Sequence, residues 1–412
     1  ALFPFLGNPL ISYAIRSAIT KGTSRLVVVT NEKNNQSIQS MQVPIKLTTV
    51  IQKSFHGMAD AVLSCASEIG NSSLVLVNAD DAFDSTLVTD VVQKGDTTEA
   101  FGILPGWKTE QYLPLGYLAI EGETIRRIEE KPPEGKQPSQ YITLVCHYIR
   151  DSDRLISEIK KTQSENDDVY EKALSSLMQS QSFLMMPYKG DFASLKYPWH
   201  VLDVLDFLLK RIGEYRGKHV EVKSNVTIEG PVYIEDNVTI CENTKIVGPC
   251  YIGKNTIIGN NNIIRASHIG ADCITGFNTD ITRSYVGDAC WFHTNYIGDS
   301  VLEGNISMGS GGVLANLRLD EKDIYSMVKG ERVNTRRNKL GAMIGKNVRI
   351  GVNTSIMPGV KIGSGSFIGS GIVLDKDVSE NSFCTLRDEN YVVTSNATSM
   401  NEETREEFKK RL

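Results

Sequence analysis

The side chains best suited to proton transfer lie together in one short segment, WFHTNYIGDS (291–300). His293 precedes Tyr296 by three residues. Because an imidazole titrates near neutral pH, His293 is suited to act as a general base, and Tyr296 offers a hydroxyl for hydrogen bonding. The alternative interpretation is a histidine that only packs at a turn. This segment is the first candidate for a catalytic site.

Two further groups suit phosphate and metal chemistry. Arg336, Arg337 and Lys339 lie within NTRRNKLGAMIG, and guanidinium groups match phosphate geometry; a solvated basic turn is the alternative. Asp80 and Asp81 follow the apolar run SLVLV, at the carboxyl end of a predicted strand, where open α/β sheets bind their ligands. Carboxylate oxygens are ligands that Mg²⁺ prefers.

The segment of His293 and the cluster of Arg336, Arg337 and Lys339 lie between two blocks of a six-residue repeat, which must position them. Branched aliphatic residues recur at a spacing of six, with Gly, Asn, Asp or Pro between them, at Ile228, Ile234, Ile240, Ile246, Ile252, Ile258 and Ile264, and again at Ile344, Ile350, Ile356, Ile362, Ile368 and Leu374. Such hexapeptides are typical of a left-handed parallel β-helix, in which three short strands close one triangular coil. Evenly spaced strands of a sandwich are the alternative. Tyr285, Trp291 and Phe292 predict an apolar outer face.

The first half of the chain shows a different pattern. Predicted helices (PLISYAIRSAITKGTS and MADAVLSCASEIGN) alternate with predicted buried strands (RLVVVTN and SLVLVNADD), which favours a parallel sheet with helices on both faces. The sequence therefore predicts a nucleotidyltransferase-like α/β (Rossmann-like) domain at 1–197 and a linker helix and hinge at 198–218. The β-helix is predicted at 219–378, and a tail with a charged helix at 379–412.

Composition excludes several classes. The 412 residues suffice for two or three domains, and 44 basic against 49 acidic residues leave no basic field for nucleic acid. No apolar stretch is long enough to cross a membrane. The seven cysteines are scattered and never form CxxC, which argues against a disulfide framework and favours a cytoplasmic protein.

The order of the motifs resembles the bifunctional sugar-1-phosphate nucleotidylyltransferase/amino-sugar-1-phosphate N-acetyltransferase family, in its archaeal form. GMADAVLSC (57–65), preceded by Gln52, resembles its nucleobase segment, and VNADD resembles the strand end whose aspartate holds Mg²⁺. The segments PLGYLAI and IRRIEEKP resemble its sugar- and phosphate-binding segments. The resemblance implies that Gln52, Gly57, Gly116, Glu130 and Lys131 bind substrate and that Asp80 binds the metal.

The same resemblance covers the second half of the chain. WFHTNYIGDS is similar to the family's acetyltransferase segment, which implies His293 as general base and Tyr296 as a substrate-binding hydroxyl. SGGVLANLRLDEKDI resembles the segment whose asparagine and lysine, here Asn316 and Lys322, line the sugar and acetyl sites. Arg283 is the candidate for the sugar phosphate, and the cluster of Arg336, Arg337 and Lys339 for the phosphates of acetyl-CoA.

Two segments depart from the family pattern. The family begins with a strand and a Gly-rich loop that holds the nucleotide triphosphate, and this sequence has no such loop, so we expect an incomplete chain with an exposed sheet edge. The family's second metal-binding aspartate aligns with Ser194 in FASLKYP. A missing carboxylate should weaken Mg²⁺ binding.

The resemblance implies acetyl-CoA-dependent N-acetylation of glucosamine-1-phosphate or galactosamine-1-phosphate. In the full-length enzyme this would be coupled to uridylyl transfer from UTP, giving a UDP-N-acetyl sugar and pyrophosphate. It also implies a homotrimer, in which active sites lie between neighbouring subunits. Two alternatives are a non-catalytic scaffold with a decayed nucleotidyltransferase domain, and a nucleotidylyltransferase whose β-helix only oligomerises it.

Overall fold

The computed structural model describes residues 1–54, 56–387 and 390–397. The chain forms two compact units, one of Ala1–Phe3 with Pro9–Ser194 and the other of Pro4–Asn8 with Leu195–Leu412. The charged helix predicted in the tail falls within 398–412 and lies outside the described residues. No helix in the described part of the chain is long and apolar enough to cross a membrane.

Helices and strands alternate as the sequence predicts over residues 10–77, whereas residues 102–149 form five successive strands with no helix between them. The helices are α1 Leu10–Ala18, α2 Glu32–Gln39, α3 Gly57–Ser64, α4 Ala66–Ile69, α5 Leu87–Thr97, α6 Ser152–Lys161 and α7 Val169–Leu177. The strands are β1 Pro4–Phe5, β2 Asn8–Pro9, β3 Leu26–Thr30, β4 Leu47–Ile51, β5 Leu74–Val77, β6 Asp81–Phe83, β7 Gly102–Lys108, β8 Gly116–Glu121, β9 Thr124–Glu130, β10 Tyr141–Thr143, β11 Cys146–Ile149, β12 Phe183–Tyr188 and β13 Phe192–Ser194. The helix predicted across MADAVLSCASEIGN is interrupted at Cys65, where α3 ends and α4 begins.

The main sheet of the first unit is mixed, so the prediction of a parallel sheet is wrong for these strands. Its seven strands run in the order β10-β8-β9-β12-β7-β11-β5, and the one parallel pair among them is β7 with β12. β8 and β9 are joined by Gly122 and Glu123, and Gly122 has a φ of +61°. So short a connection permits only antiparallel pairing, because parallel strands need a long crossover.

A large cavity lies beside the edge of that sheet. β5 is the edge strand, while β3 and β4 form a separate parallel pair. Residues of both β3 and β5 line a cavity of about 850 Å³, among them Val27, Val28, Val75 and Val77. Among the described strands, β5 therefore pairs on one side only.

The second unit begins with one helix and continues as short strands. The helix is α8 His200–Leu209, and its apolar residues are buried. The strands are β14 Tyr215–Arg216, β15 Glu221–Val222, β16 Thr227–Glu229, β17 Val232–Ile234, β18 Thr239–Ile240, β19 Lys245–Val247, β20 Cys250–Ile252, β21 Ile257–Ile258, β22 Ile263–Arg265, β23 His268–Ile269, β24 Asp280–Thr282, β25 Tyr285–Val286, β26 Tyr296–Gly298, β27 Val301–Leu302, β28 Ser307–Met308, β29 Val313–Leu314, β30 Tyr325–Val328, β31 Glu331–Asn334, β32 Met343–Ile344, β33 Arg349–Ile350, β34 Ser355–Ile356, β35 Lys361–Ile362, β36 Phe367–Ile368, β37 Val373–Leu374, β38 Ser382–Arg387 and β39 Asn390–Ser395.

These strands form the predicted left-handed parallel β-helix. Ile246 pairs with Ile264 in parallel, so that three hexapeptides make one coil. Asn237, Asn243, Asn255 and Asn261 occupy corners with φ between +57° and +60°, a conformation that asparagine tolerates better than most residues. The inward aliphatic residues of both blocks are buried, with one exception: Ile228, on a terminal strand of its sheet, is 40% exposed.

The irregular stretch between the two blocks is also β-helical. Ile264 pairs with Ile281 and Ile281 with Ile297, in coils slightly shorter than three hexapeptides, so the coils continue while the period of six is lost. Ile297 then pairs with Leu314, and only the following pair, Leu314 and Ile356, is much farther apart in sequence, because a loop with the hairpin β30–β31 is inserted. This loop carries Lys322 and the basic cluster of Arg336, Arg337 and Lys339.

The expected apolar outer face is wrong at two of its three residues. Phe292 belongs to the β-helix core and is 1% exposed. Tyr285 is fully buried: its hydroxyl donates to the carbonyl of Pro4 at 2.8 Å, and its ring meets Phe5 edge-on. It ends a column of stacked rings on one face of the coils, formed by Tyr215, Tyr233, Tyr251, His268 and Tyr285.

The buried His268 predicts acid sensitivity. Burial lowers the pKa of His268 from 6.5 to about 4. The unfolded chain therefore binds a proton at this histidine at higher pH than the folded chain does. The contribution of His268 to the free energy of unfolding is complete above pH 6.5 and is lost as the pH falls towards 4. Between these pH values, we expect His268→Phe to lose up to about 3 kcal/mol less stability than the parent, measured by urea unfolding. Equal losses in parent and variant would contradict this assignment.

Candidate functional site

The backbone around His293 is held firmly, while its ring is exposed. The His293 amide donates to Asn295 Oδ1 at 2.7 Å, and its carbonyl accepts from the Thr279 hydroxyl. The buried Asn295 in turn donates to the carbonyls of Gly309 and Gly312 at 2.9 and 3.0 Å. Within the described part of the chain, the imidazole has no hydrogen-bond partner, so it is available to a ligand.

Tyr296 and Asn316 converge over Gly298. A Cβ atom at Gly298 would lie 2.7 Å from the Tyr296 hydroxyl oxygen and 2.6 Å from Asn316 Nδ2. Tyr296 is on β26, and Asn316 follows β29, the next strand of the same sheet. The structure therefore brings together two of the predicted site residues, beside the strand that directly follows the corner carrying His293.

Arg283 lies against this pair but is held within the chain. Its Nε and Nη2 donate to the two carboxylate oxygens of Asp299, both at 2.7 Å. Asn316 Nδ2 donates to Asp299 Oδ2 at 2.5 Å. The hydrogen bond to Asp299 raises the pKa of Arg283. The role of Arg283 towards a sugar phosphate stays a prediction, and its guanidinium already has an anionic partner.

The residues of the predicted phosphate-binding cluster, which lie in the inserted loop, differ in their contacts. Arg337 forms an ion pair with Asp203 of α8 at 2.5 Å. Lys322, Arg336 and Lys339 are exposed, and no salt bridge holds them among the residues that the structure describes. Three cations of the loop are therefore accessible to an anionic ligand, and Arg337 anchors the loop to the helix.

In the first unit, Gln52 and Gly57 lie at the start of α3. Gln52 Nε2 donates to Asp60 Oδ2 at 2.7 Å. Gly57 has a φ of +72°, and a Cβ there would collide with the carboxylate of Asp167. Glycine is required at this position for both reasons.

Gly116, Glu130 and Lys131 lie together at the paired ends of β8 and β9. Gly116 is opposite Glu130, and Lys131 Nζ pairs with Glu130 Oε1 at 3.0 Å. Glu130 and Lys131 also line a cavity of about 150 Å³ with Glu171. Burial raises the pKa of Glu171 to about 7. Glu130 and Lys131 thus share one acidic pocket, which the sequence did not indicate because Glu171 belongs to no motif.

The carboxylates at the end of β5 do not form a prebuilt magnesium site. β13 pairs with β6 so that Ser194 is opposite Asp81. The Ser194 hydroxyl is buried without a hydrogen-bond partner, and within the described ranges no three His, Cys, Asp or Glu side chains cluster. Mg²⁺ prefers carboxylate and phosphate oxygens. These residues do not match the two-carboxylate site that the resemblance implies, so Asp80 remains a prediction.

Sequence reasoning missed Asp299 and Gly298. Both lie in the IGD tripeptide of the segment that carries His293. Their importance arises from stacking: Thr282 pairs with Gly298, and Arg283 and Asp299 directly follow these two residues on neighbouring coils. A count of coil lengths would have placed the two side chains together.

Comparisons with known proteins agree with this organisation. Residues 1–192 match the nucleotidyl transferase family, and residues 231–266 and 341–375 match the bacterial transferase hexapeptide repeat. The domain match does not support the alternative of a decayed nucleotidyltransferase domain.

Relatives align along nearly the whole chain. "Bifunctional protein GlmU" of Methanococcus vannielii is 29% identical over 94% of this chain and 92% of its own length. "Bifunctional sugar-1-phosphate nucleotidylyltransferase/acetyltransferase" of Sulfurisphaera tokodaii is 29% identical over 93% of this chain and 94% of its own. Two matched domains in the same order and this full-length similarity show a transferase whose organisation is that of the GlmU-like bifunctional sugar-1-phosphate nucleotidylyltransferase/acetyltransferase proteins.

Proposed function

We propose that the β-helix transfers the acetyl group of acetyl-CoA to the amine of glucosamine-1-phosphate or galactosamine-1-phosphate. The observation that carries this proposal is the arrangement around β26. An exposed imidazole without a partner among the described residues stands on a rigid corner three residues before Tyr296, and the Tyr296 hydroxyl converges with the Asn316 amide over Gly298. A general base near neutral pH with adjacent hydrogen-bonding groups is what acyl transfer to an amine requires.

In the proposed reaction, the amine nitrogen attacks the thioester carbonyl. The C–N bond forms, the C–S bond breaks, and His293 takes the proton that the amine loses. That proton then passes to the departing thiolate. Tyr296 and Asn316 orient the sugar, and Lys322 meets an anionic group. Positioning of both reactants by fixed side chains supplies much of the rate enhancement in such reactions.

Arg336 and Lys339 are proposed to bind the phosphates of acetyl-CoA, with Arg337 holding their loop against α8. Arg336→Ala should raise KM for acetyl-CoA by about tenfold, the scale of one charge-assisted hydrogen bond, and leave KM for the amino sugar unchanged. Arg318→Ala is the matched control, because Arg318 pairs with Asp320 in the same loop. Equal KM values for acetyl-CoA in parent and Arg336→Ala would assign the cluster to a solvated turn.

The first unit is proposed to transfer a uridylyl group from UTP to the sugar phosphate, releasing pyrophosphate. Gln52 and Gly57 would face the nucleobase, and Gly116, Glu130 and Lys131 the sugar phosphate. Their placement on α3 and at the joined ends of β8 and β9 supports this division. No step is assigned to a metal, because Ser194 replaces a carboxylate.

We also propose a homotrimer with its acetyl-transfer sites between neighbouring β-helices. Hexapeptide repeats support this assembly, and Ile263, Phe277 and Val373 are exposed apolar residues of the coils that neighbouring subunits would cover. The molar mass by light scattering should equal three chains. A monomer would contradict this proposal.

One assay tests both proposed activities. Purified chain would receive acetyl-CoA, one amino-sugar-1-phosphate, UTP and Mg²⁺, with thiol and pyrophosphate release followed in parallel. Thiol release with glucosamine-1-phosphate or galactosamine-1-phosphate, and not with glucose-1-phosphate, is the expected result. Pyrophosphate release would support the uridylyl transfer. Absence of both products would favour the scaffold alternative.

A further inference from the structure

We propose that Asp299 is a positioning residue of the acetyl-transfer site, and that it fixes which atom of the Asn316 amide faces the substrate. The inference rests on the proposed function of the β-helix. In this inference Arg283 holds Asp299 in place instead of binding the sugar phosphate.

The geometry of Asp299 links three functional groups. Both carboxylate oxygens accept from Arg283 at 2.7 Å, and Oδ2 also accepts from Asn316 Nδ2 at 2.5 Å. Arg283 Nη1 makes a further hydrogen bond to the Thr282 hydroxyl at 3.1 Å. Nε, Nη1 and Nη2 of Arg283 therefore all donate hydrogen bonds within the protein.

Asp299 is the fixed member of this set. Its side chain is 5% exposed, whereas that of Arg283 is 47% exposed. Its amide donates to the carbonyl of Thr282 at 2.9 Å, and its carbonyl accepts from Gly341 at 2.8 Å. A buried carboxylate is stable only when it is paired and hydrogen-bonded. The carboxylate of Asp299 therefore sets the positions of the Arg283 guanidinium and the Asn316 amide.

The consequence for Asn316 follows from donor and acceptor roles. A carboxylate only accepts hydrogen bonds, so it holds the NH₂ end of the amide and excludes the flipped orientation. The amide oxygen of Asn316 is then the atom left for the substrate. An oxygen accepts from an N–H group, which suits an amino sugar. The attacking neutral amine offers two N–H donors to this oxygen, whereas a sugar with a hydroxyl at this position offers one O–H donor.

The test is the effect of Asp299→Asn in two backgrounds. An asparagine at 299 retains the size of the side chain but allows the Asn316 amide to flip. We expect kcat for acetyl transfer to fall by about tenfold or more, with KM for acetyl-CoA unchanged, because a misplaced orienting group raises the barrier of the chemical step. In the Asn316→Ala background, Asp299→Asn should change kcat less than twofold, since the group it positions is gone.

Glu229→Gln is the matched control, because Glu229 pairs with Lys245 on the same sheet, far along the coils from β26. It should not change kcat. If Asp299→Asn does not fold, Asp299→Glu is the second variant: it keeps the charge, moves the carboxylate, and should lower kcat similarly.

The outcomes separate this inference from the function on which it rests. A parent chain without acetyl transfer overturns both. An active parent with kcat unchanged in Asp299→Asn, or in Asp299→Glu, overturns the positioning role alone. Equal kcat losses from Asp299→Asn with and without Asn316→Ala would also overturn it, because Asp299 would then act independently of Asn316.

Discussion

His293→Ala is expected to lower acetyl transfer by about 10²-fold or more, the usual contribution of a general base. The imidazole is exposed and has no partner among the residues that the structure describes, while its backbone is fixed by Asn295 and Thr279. Removal of the ring therefore deletes a chemical group and breaks no hydrogen bond among the residues that the structure describes. Binding of acetyl-CoA and the melting temperature should remain those of the parent.

A control variant distinguishes this role from a structural one. His219→Asn is the control, because His219 is another exposed histidine of the coils with a φ of +55°, which asparagine tolerates. Acetyl transfer by His293→Ala within a fewfold of the parent would assign His293 to the turn.

Gly298→Ala is expected to lower acetyl transfer by about 10²-fold, the cost of displacing a reacting group by roughly 1 Å. The added methyl would lie 2.6 Å from Asn316 Nδ2 and 2.7 Å from the Tyr296 hydroxyl, so both side chains must move. Gly298 is not among the residues with positive φ, so alanine fits the backbone there. The loss should therefore appear in kcat rather than in the fraction of folded protein.

Gly213→Ala is the control for this substitution. A Cβ at Gly213 would meet no atom within 4 Å, and its φ is not positive. Acetyl transfer should not change in this variant. Equal activities of Gly298→Ala and Gly213→Ala would show that the space between Tyr296 and Asn316 is not part of the site.

The fold was predictable wherever one local rule decided it. Inward isoleucines at a spacing of six follow directly from three equal strands per coil, and all but Ile228 are buried as expected. The three shortened coils that end at Ile281, Ile297 and Leu314 were invisible to that rule, because their corners contain fewer residues. The mixed sheet was missed because alternating helices and strands do not reveal short hairpins such as the one at Gly122.

The site was predictable as a segment but not as an arrangement. His293, Tyr296 and Asn316 were identified from motifs, and the structure places the last two side by side. Asp299 was not identified, because its partners come from different coils. Arg337 was grouped with Arg336 by adjacency in sequence, although its guanidinium contacts Asp203 of α8. Long-range pairing of this kind depends on stacking, which the sequence encodes only through coil length.

The most direct test of the account is the identity of the product made by the β-helix. Purified chain would be incubated with acetyl-CoA and glucosamine-1-phosphate or galactosamine-1-phosphate, and the sugar phosphate analysed by mass spectrometry and proton NMR. The account predicts a mass gain of one acetyl group, with the new methyl signal that of an acetyl group bound to nitrogen, and about 10²-fold slower formation of this product with His293→Ala. An unmodified sugar phosphate, or an acetyl group on a hydroxyl oxygen, would contradict it.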